Sequence, residues 1–331
     1  MKTESQQKGK IETIETLRGI ASLAVCLFHL TKTNLPLEGS AAILSKIFAF
    51  GWLGVEVFFV VSGFIIPYSM IKGKYTLSHF FRFLAKRCIR IEPPYLVSIL
   101  MIIVLGYISM YMPGYKEGSF NLSIGQVASH VAYLPTHLGF EWLSPVYWSL
   151  EAEFHYYILI ALILPIMFKG KTWMMSVFAL LLAASYIIPL YVFSYMPFFI
   201  AGIAACALRF EKLTKLEFGI VVLICMAVSI HRDQPAAMYL SIGATAGAIA
   251  WLNIKSKVTD FLGKISFSLY LVHVPIGSKC LNFLGRYANS EFRQWLIFIF
   301  GLVVCIVAAW LFYLLVEKPC QKYSHKLRYS S

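Results

Sequence analysis

The sequence of 331 residues is poor in charged residues. Asp, Glu, Lys and Arg make up 14% of it and hydrophobic residues 59%, whereas soluble domains average about 25% charged residues. No charged or Pro/Ser-rich linker divides the chain into parts. A chain this apolar is expected in lipid, where hydrophobic surface needs no cover from water. These absences exclude an ordinary soluble protein and predict one membrane domain over residues 1–331.

Several chemical signatures are also missing. The seven cysteines form no CxxC pair and lie mostly inside or beside apolar runs, which favours buried thiols over disulfides or a metal site. No H-E-x-x-H motif occurs, so we expect no metal. No G-x-S-x-G motif surrounds Ser62, and a packing role is favoured there over a nucleophile. The net charge of +13 is scattered in short tracts, so no nucleic-acid partner is predicted.

The apolar runs predict an all-α fold, a polytopic integral membrane bundle of about ten transmembrane helices. Crossing a hydrocarbon core of about 30 Å takes about 20 helical residues. We place the spans near residues 14–31, 50–71, 92–113, 147–168, 173–190, 193–209, 217–230, 236–253, 263–282 and 294–316. Arg18 and His29 lie inside the first span and no A-x-A site follows it, so it is predicted to be a mature helix and not a signal peptide.

The distribution of Lys and Arg predicts the orientation. With the N-terminus inside, the inner segments carry 21 of the 29 and the outer segments seven, and Arg18 lies within the first helix. Cytoplasmic loops are the ones that carry excess positive charge. Both termini are therefore predicted to be cytoplasmic, in a multi-pass protein of the plasma (inner) membrane.

Two ionisable residues of the first helix share a face. Arg18 and His29 are eleven residues apart, about three turns, and so lie ~16 Å apart along the axis. Ionisable groups inside spans mark function by default. Separate roles, Arg18 as an interface anchor and His29 as a hydrogen-bonded packing residue, are the alternatives.

Three glutamates are predicted at a depth similar to that of His29. They are Glu56 in the second span and Glu151 and Glu153 in the fourth. A carboxylate beside an imidazole fixes its tautomer and raises its basicity, as a general base for a hydroxyl requires. Glu151 and Glu153 point to opposite sides, so one of them is expected to face the site. Glu151 could instead pair with His155, four residues on.

A dense basic cluster lies in the predicted cytoplasmic loop 72–91, with Arg82, Lys86, Arg87 and Arg90. Arginine clusters suit anionic, phosphate-bearing ligands. Ordinary positive-inside charge is the alternative.

Six motifs in chain order resemble the membrane acyltransferase-3 family. They are Arg18 to His29, Gly54-Val55-Glu56-Val57-Phe58-Phe59-Val60-Val61-Ser62-Gly63-Phe64, Arg87-Cys88-Ile89-Arg90-Ile91-Glu92-Pro93-Pro94-Tyr95, Trp148-Ser149-Leu150-Glu151-Ala152-Glu153-Phe154, Leu262-Gly263-Lys264-Ile265-Ser266 through Tyr270, Leu271, His273 and Pro275, and Glu317-Lys318-Pro319. Glu56 stands where aspartate is common, and His155 where the family more often has tyrosine. The chain stops at Ser331, so we expect no appended extracytoplasmic hydrolase-like domain.

The resemblance implies an O-acetyltransferase that moves an acetyl group from cytoplasmic acetyl-CoA to a hydroxyl of a cell-surface glycan or lipid-linked sugar. It implies that the donor phosphates are bound by Arg18, Arg87 and Arg90. His29 is expected to act as general base or to carry the acyl group, with Glu153 or Glu56 orienting its imidazole. The substrate pocket is expected to contain Trp148, Ser266, Tyr270 and His273.

The acceptor is expected to meet the outer loop 114–146, which holds Tyr115, His130, His137 and Trp142. Two other functions remain open on the residues alone. A transporter or exporter of a small anionic or sugar-linked solute would also hold charged residues at mid-membrane. A membrane scaffold or sensor would hold them for structural reasons.

Overall fold

The computed structural model describes residues 4–111, 122–232, 234–254 and 256–327, with side chains from residue 12 onward. All regular structure in these ranges is helical, as predicted. The α-helices of the first half are α1 (Glu4–Leu30), α2 (Ala42–Ile47), α3 (Gly54–Lys72), α4 (Phe80–Met110), α5 (Ile124–Val131), α6 (Trp148–Met167) and α7 (Lys171–Ile187).

The second half is helical too, with two segments that widen to π-helices, His273–Ser278 and Tyr313–Glu317. Its α-helices are α8 (Tyr191–Ser194), α9 (Met196–Arg209), α10 (Lys215–His231), α11 (Ala236–Trp251), α12 (Lys257–Lys264), α13 (Ser266–Val272), α14 (Lys279–Leu284), α15 (Glu291–Phe312) and α16 (Lys318–Lys326).

In the described part of the chain, five helical stretches are long and apolar enough to cross a membrane. They are Glu12–Leu30, Gly39–Lys72, Leu77–Met110, Trp148–Met167 and Glu291–Lys326. Each of the ten predicted spans overlaps a helix of the described chain. That all ten spans cross the membrane stays a prediction, and so does the cytoplasmic location of both termini.

One predicted boundary is wrong, and one predicted span is less regular than expected. The segment 72–91 was expected to be a loop, but α4 begins at Phe80 and takes in Arg87 and Arg90. Its residues are mostly Phe, Leu, Ala, Lys and Arg, which a helix accommodates easily, although their charge lowers the hydropathy. The predicted span 263–282 is divided into α12, α13, a π-helix and α14. Pro275, which lacks a backbone N–H, lies in that π-helix.

Close backbone contact holds α3 against α9. A Cβ atom on Gly63 would collide with the Phe199 carbonyl, and one on Gly202 with the Val60 carbonyl. Small residues let membrane helices approach this closely, and packing then replaces the hydrophobic force that lipid does not supply. Helix α9 is buried along its length. The α3–α9 pair holds α3 in place, and α3 encloses the site together with α1, α4, α6 and α13.

Candidate active site

An internal cavity of about 440 Å³ lies among α1, α3, α4, α6, α13 and the end of the chain. Its lining carries ionisable or hydroxyl side chains from all of these elements. The polar members are Glu15, Arg18, Ser62, Ser69, Lys86, Arg87, Arg90, Ser149, Glu153, Tyr157, Lys264, Tyr270, Tyr313, Glu317, Gln321, Ser324 and His325. A polar cavity inside an apolar bundle is the usual place for function in a membrane protein.

One end of the cavity is basic. Lys86, Arg87 and Arg90 line it from the first turns of α4, and His325 faces them from α16. Arg87 is buried, donates from Nη2 to Ser69 Oγ at 3.0 Å, and stacks its guanidinium over Phe83. These contacts hold Arg87 in place, whereas Arg90 is half-buried. All three predicted phosphate-binding arginines, Arg18, Arg87 and Arg90, therefore meet in one cavity.

Arg18 lies deeper, within the electrostatic influence of two carboxylates. Glu317 and Glu153 attract its charge, and Arg90 repels it. Glu317 accepts hydrogen bonds from Ser268 Oγ at 2.5 Å and from Gln321 Nε2 at 2.7 Å. Charge partners of this kind are what makes a buried guanidinium tolerable. The Glu317 site went unpredicted, although Glu317-Lys318-Pro319 was noted as a motif.

A hydrogen-bonded pair of side chains lines the middle of the cavity. Ser62 Oγ donates to Glu153 Oε1 at 2.6 Å, and Tyr157 lies within the electrostatic influence of this carboxylate. Short hydrogen bonds to an ionised acceptor are about twice as strong as neutral ones. The pattern around Ser62 favoured packing, and the structure adds a polar partner from a helix 91 residues away.

Two histidines meet beyond this group. The rings of His29 and His273 lie 5.1 Å apart between centroids, at 62°. His29 Nδ1 lies 3.0 Å from the Val25 carbonyl, and His273 Nδ1 lies 2.9 Å from the Leu269 carbonyl. A carbonyl only accepts, so Nδ1 carries the hydrogen on both rings and each Nε2 presents a lone pair.

The two Nε2 atoms are available for proton chemistry. His273 is fully buried, and its Nε2 has no hydrogen-bond partner in the described chain. His29 is half-buried. Its contacts in the described chain are the Val25 carbonyl and the rings of Phe28 and His273. The imidazole is thus oriented by a backbone carbonyl, where the sequence suggested Glu153 or Glu56.

Glu56 forms no hydrogen bond or ion pair with either histidine in the described chain. Its side chain is buried, and Oε2 has no hydrogen-bond partner among the described residues. The hydroxyl groups of Tyr195 and Tyr270 lie within its electrostatic influence. Glu56 is outside the described lining of the cavity.

Tyr270 connects the cavity with the histidine pair. It lines the cavity, its ring lies 5.9 Å from that of His273, and its hydroxyl donates to the Val146 carbonyl at 2.9 Å. Ser149 Oγ lies 2.5 Å from the same hydroxyl. Of the predicted pocket residues, Tyr270 alone is in the described lining of the cavity. His273 is outside that lining and contacts the ring of Tyr270.

The other two predicted pocket residues support the wall. Trp148 stacks on Tyr195 with ring centroids 5.0 Å apart and meets the edge of Phe59. Ser266 is buried and donates to the Gly263 carbonyl at 2.8 Å. Neither lies in the described lining of the cavity.

Glu151 has a different partner from the one considered. Its Oε1 lies 3.1 Å from His137 Nδ1, and the ring of His155 lies 5.5 Å from that of His137. The suggested Glu151–His155 pair is replaced by a bridge to the segment before α6. In the same segment His130 Nε2 accepts from the Leu143 backbone at 3.0 Å. Tyr115 lies outside the described residues.

Comparisons with known proteins show which family the chain belongs to. The profile of the acyltransferase-3 family, described as an acyltransferase domain, matches residues 11–314. The acyltransferase MdmB of Streptomyces mycarofaciens is 24% identical, over 95% of this chain and 92% of its own length. A protein of Acidianus two-tailed virus that carries the name of an acetyltransferase is 31% identical over 164 residues, 49% of this chain and 44% of its own length.

No solved structure matches the chain. The family profile covers nearly all of the sequence and includes α1, with Arg18 and His29, through to the π-helix before α16. The predicted resemblance is confirmed. The chain belongs to the acyltransferase-3 family, and it is a helical membrane acyltransferase.

Proposed function

We propose that the protein transfers an acetyl group from cytoplasmic acetyl-CoA to a hydroxyl of a cell-surface glycan or lipid-linked sugar. The observation that carries the proposal is one continuous arrangement. A cavity that is basic at one end reaches Tyr270 at the other, and the His29–His273 pair lies directly behind Tyr270. The basic end suits the phosphates of an anionic thioester donor, and the histidine pair suits the activation of a hydroxyl.

Donor binding uses the basic end. Arg90 and Lys86 face the cavity, and Arg87 is held by Ser69 and by the ring of Phe83. A planar guanidinium binds phosphate with two parallel N–H donors. With the phosphates at this end, the thioester extends toward Arg18, Ser62 and Glu153.

The chemical step uses the lone pair of His29 Nε2. The imidazole takes the proton of the acceptor hydroxyl, the hydroxyl oxygen attacks the thioester carbonyl, and the carbon–sulfur bond breaks. The thiolate leaves and receives a proton from the imidazolium. In the covalent alternative, His29 Nε2 attacks the thioester carbonyl and the thiolate leaves. The acceptor hydroxyl then attacks the acetyl carbon, the bond to Nε2 breaks, and the hydroxyl proton passes to the thiolate.

His273 assists His29 in this scheme. Its buried ring packs beside that of His29, and its Nδ1 hydrogen is fixed on the Leu269 carbonyl. Its position keeps water away from the imidazole and holds a second lone pair within reach. Glu153 offsets the positive charge of Arg18 and accepts a hydrogen bond from Ser62. It thereby holds both side chains in place beside the donor.

The proposed location is the plasma (inner) membrane, with both termini cytoplasmic. Five stretches of the described chain are long and apolar enough to cross a membrane. Counted over the ten predicted spans, the excess of Lys and Arg in the inner segments supports this orientation. In that orientation the basic end faces the cytoplasm, where acetyl-CoA is made, and the histidine pair faces the outer half.

Labelled acetyl-CoA tests the proposal. Membranes that contain the protein are incubated with acetyl-CoA labelled in the acetyl group and with a total glycan and glycolipid extract. We expect label in the extract, and none with membranes that lack the protein. Export of a labelled solute with no label on any acceptor would instead support a transporter.

A further inference from the structure

Helix α16, the last helix of the described chain, forms part of the wall of the donor cavity. It contributes Gln321, Ser324 and His325 to the lining. The family profile matches residues 11–314 and therefore ends before α16 begins. What α16 adds to the site thus lies outside the part of the chain by which the family is identified.

Two side-chain hydrogen bonds determine which face α16 turns toward the cavity. Ser324 is buried, and its Oγ donates to the Lys86 carbonyl on α4 at 2.8 Å. Gln321 Nε2 donates to Glu317 Oε1 at 2.7 Å. Gln321, Ser324 and His325 are three and four residues apart, so they lie on one face of the helix. The same bonds that dock α16 therefore hold His325 at the cavity, against the start of α4.

His325 faces a group of cations across the cavity. Arg90, Lys86 and Arg87 all lie within its electrostatic influence, and all three line the same cavity. Like charges repel, so gathering these groups around one space costs free energy that a bound polyanion offsets. The ring N–H of a histidine also donates hydrogen bonds to phosphate oxygens. The arrangement favours a ligand that carries more than one phosphate.

Side-chain exposure gives the order of these groups from the opening of the cavity inward. His325 is exposed, and Arg90 is half-buried. Ser62 and Tyr270, which line the cavity farther along, are buried. His325 therefore lies at the opening, and the groups assigned to the chemical step lie inside.

Acetyl-CoA has a matching linear order. Its acetyl thioester is followed by the pantetheine arm, then by the 5′-diphosphate, and last by the ribose with its 3′-phosphate and adenine. When the thioester points toward Ser62 and the diphosphate meets Arg87 and Arg90, the ribose is left at the opening. The 3′-phosphate is then the phosphate nearest to His325.

We propose that His325 binds the ribose 3′-phosphate of the donor, and that α16 thereby makes the protein selective for CoA over 3′-dephospho-CoA. The inference rests on the proposed function and names the part of the donor that this helix recognises. His325 is a binding residue remote from the reacting atoms. Its loss should therefore raise the KM for acetyl-CoA and leave turnover little changed.

Binding of two nucleotides tests the inference without any acceptor. CoA and 3′-dephospho-CoA differ only in the 3′-phosphate, and their affinities are measured by titration calorimetry on the full-length protein in nanodiscs. We expect the wild-type protein to bind CoA about tenfold more tightly or better, the effect of one charged hydrogen bond. His325→Ala should weaken CoA binding about tenfold and leave the affinity for 3′-dephospho-CoA within about twofold. His325→Arg should keep the preference, because a guanidinium also binds phosphate.

Lys322→Ala is the matched control. Lys322 is exposed on the same helix and outside the described lining, so the loss of its charge should leave the preference for CoA within about twofold. Equal wild-type affinities for the two nucleotides would overturn the inference, as would a full preference for CoA in His325→Ala. Binding of neither nucleotide would overturn the inference and the proposed donor together. Failure to acetylate any acceptor, with the preference for CoA intact, would overturn the proposed function alone.

Discussion

The imidazole of His29, on the first helix, packs against that of His273, 244 positions later in the sequence, with ring centroids 5.1 Å apart. Each ring donates its Nδ1 hydrogen to a carbonyl four residues back in its own helix. Neither ring needs a carboxylate to set its tautomer. When the two imidazoles are neutral, both Nε2 lone pairs are therefore available.

His273→Phe tests the second ring of this pair. Phenylalanine keeps an aromatic ring in the buried space but removes both nitrogens. We expect turnover to fall by about hundredfold, at the lower end of the range of proton-transfer effects, and the KM for acetyl-CoA to stay within about twofold because the donor arginines lie elsewhere. Steady-state kinetics on purified protein checks this. A wild-type turnover number would show that His273 only packs.

Arg90→Ala tests donor binding. Arg90 is half-buried in the cavity wall, and its loss removes a charged hydrogen-bond donor for phosphate, worth about 1.5–3 kcal/mol. We expect the KM for acetyl-CoA to rise about tenfold or more and turnover to change little.

Arg82→Ala is the matched control for that variant. Arg82 is exposed on the same helix and outside the described cavity lining, so its removal should leave the KM for the donor within about twofold. A fall in turnover with unchanged KM in Arg90→Ala would remove the binding role.

Ser62→Ala tests the hydrogen bond to Glu153. Its 2.6 Å bond to the carboxylate is lost, and the half-buried Glu153 keeps one hydrogen-bond partner fewer. We expect turnover to fall on the order of tenfold, because a hydrogen bond to a charged group is worth about 1.5–3 kcal/mol. The control is Ser241→Ala, since the Ser241 hydroxyl bonds only its own helix, at the Met238 carbonyl. Equal turnover of the two variants would show that the hydrogen bond from Ser62 to Glu153 does not contribute to activity.

Gly202→Leu tests the packing that supports the cavity. The new side chain would meet the Val60 carbonyl and the backbone of Gly63, so α3 and α9 must separate. Overpacking of this kind costs about 1–3 kcal/mol, and the melting temperature in detergent should fall by several degrees. Gly219→Leu is matched to it, because a Cβ there meets no atom within 4 Å. Equal melting temperatures for the two variants would contradict the tight contact.

Much of the fold was predictable, because lipid imposes long apolar helices that hydropathy reveals. The predicted spans all overlap helices. The start of α4 was missed because Arg82, Lys86 and Arg87 lower the hydropathy of a segment that is nevertheless helical. The π-helix at Pro275 was not predicted, because hydropathy does not register the backbone N–H that proline lacks.

The sequence predicted which residues belong to the site better than it predicted their hydrogen-bond partners. Residue patterns selected Arg18, His29 and His273, which the fold brings to one path. The partners of these groups depend on helix packing, which no local pattern encodes. Ser62 with Glu153, and Ser268 with Glu317, join helices far apart in sequence. His29 meets a carbonyl of its own helix, a contact available to any buried histidine.

The most direct test of the account is acetyl transfer by His29→Ala, with His155→Ala as the control. Purified protein in nanodiscs is given labelled acetyl-CoA and the glycolipid extract, and binding of acetyl-CoA is measured on the same samples. The account predicts a loss of about hundredfold or more in the transfer rate for His29→Ala, unchanged donor binding, and near-normal transfer for His155→Ala. Full transfer by His29→Ala would contradict it.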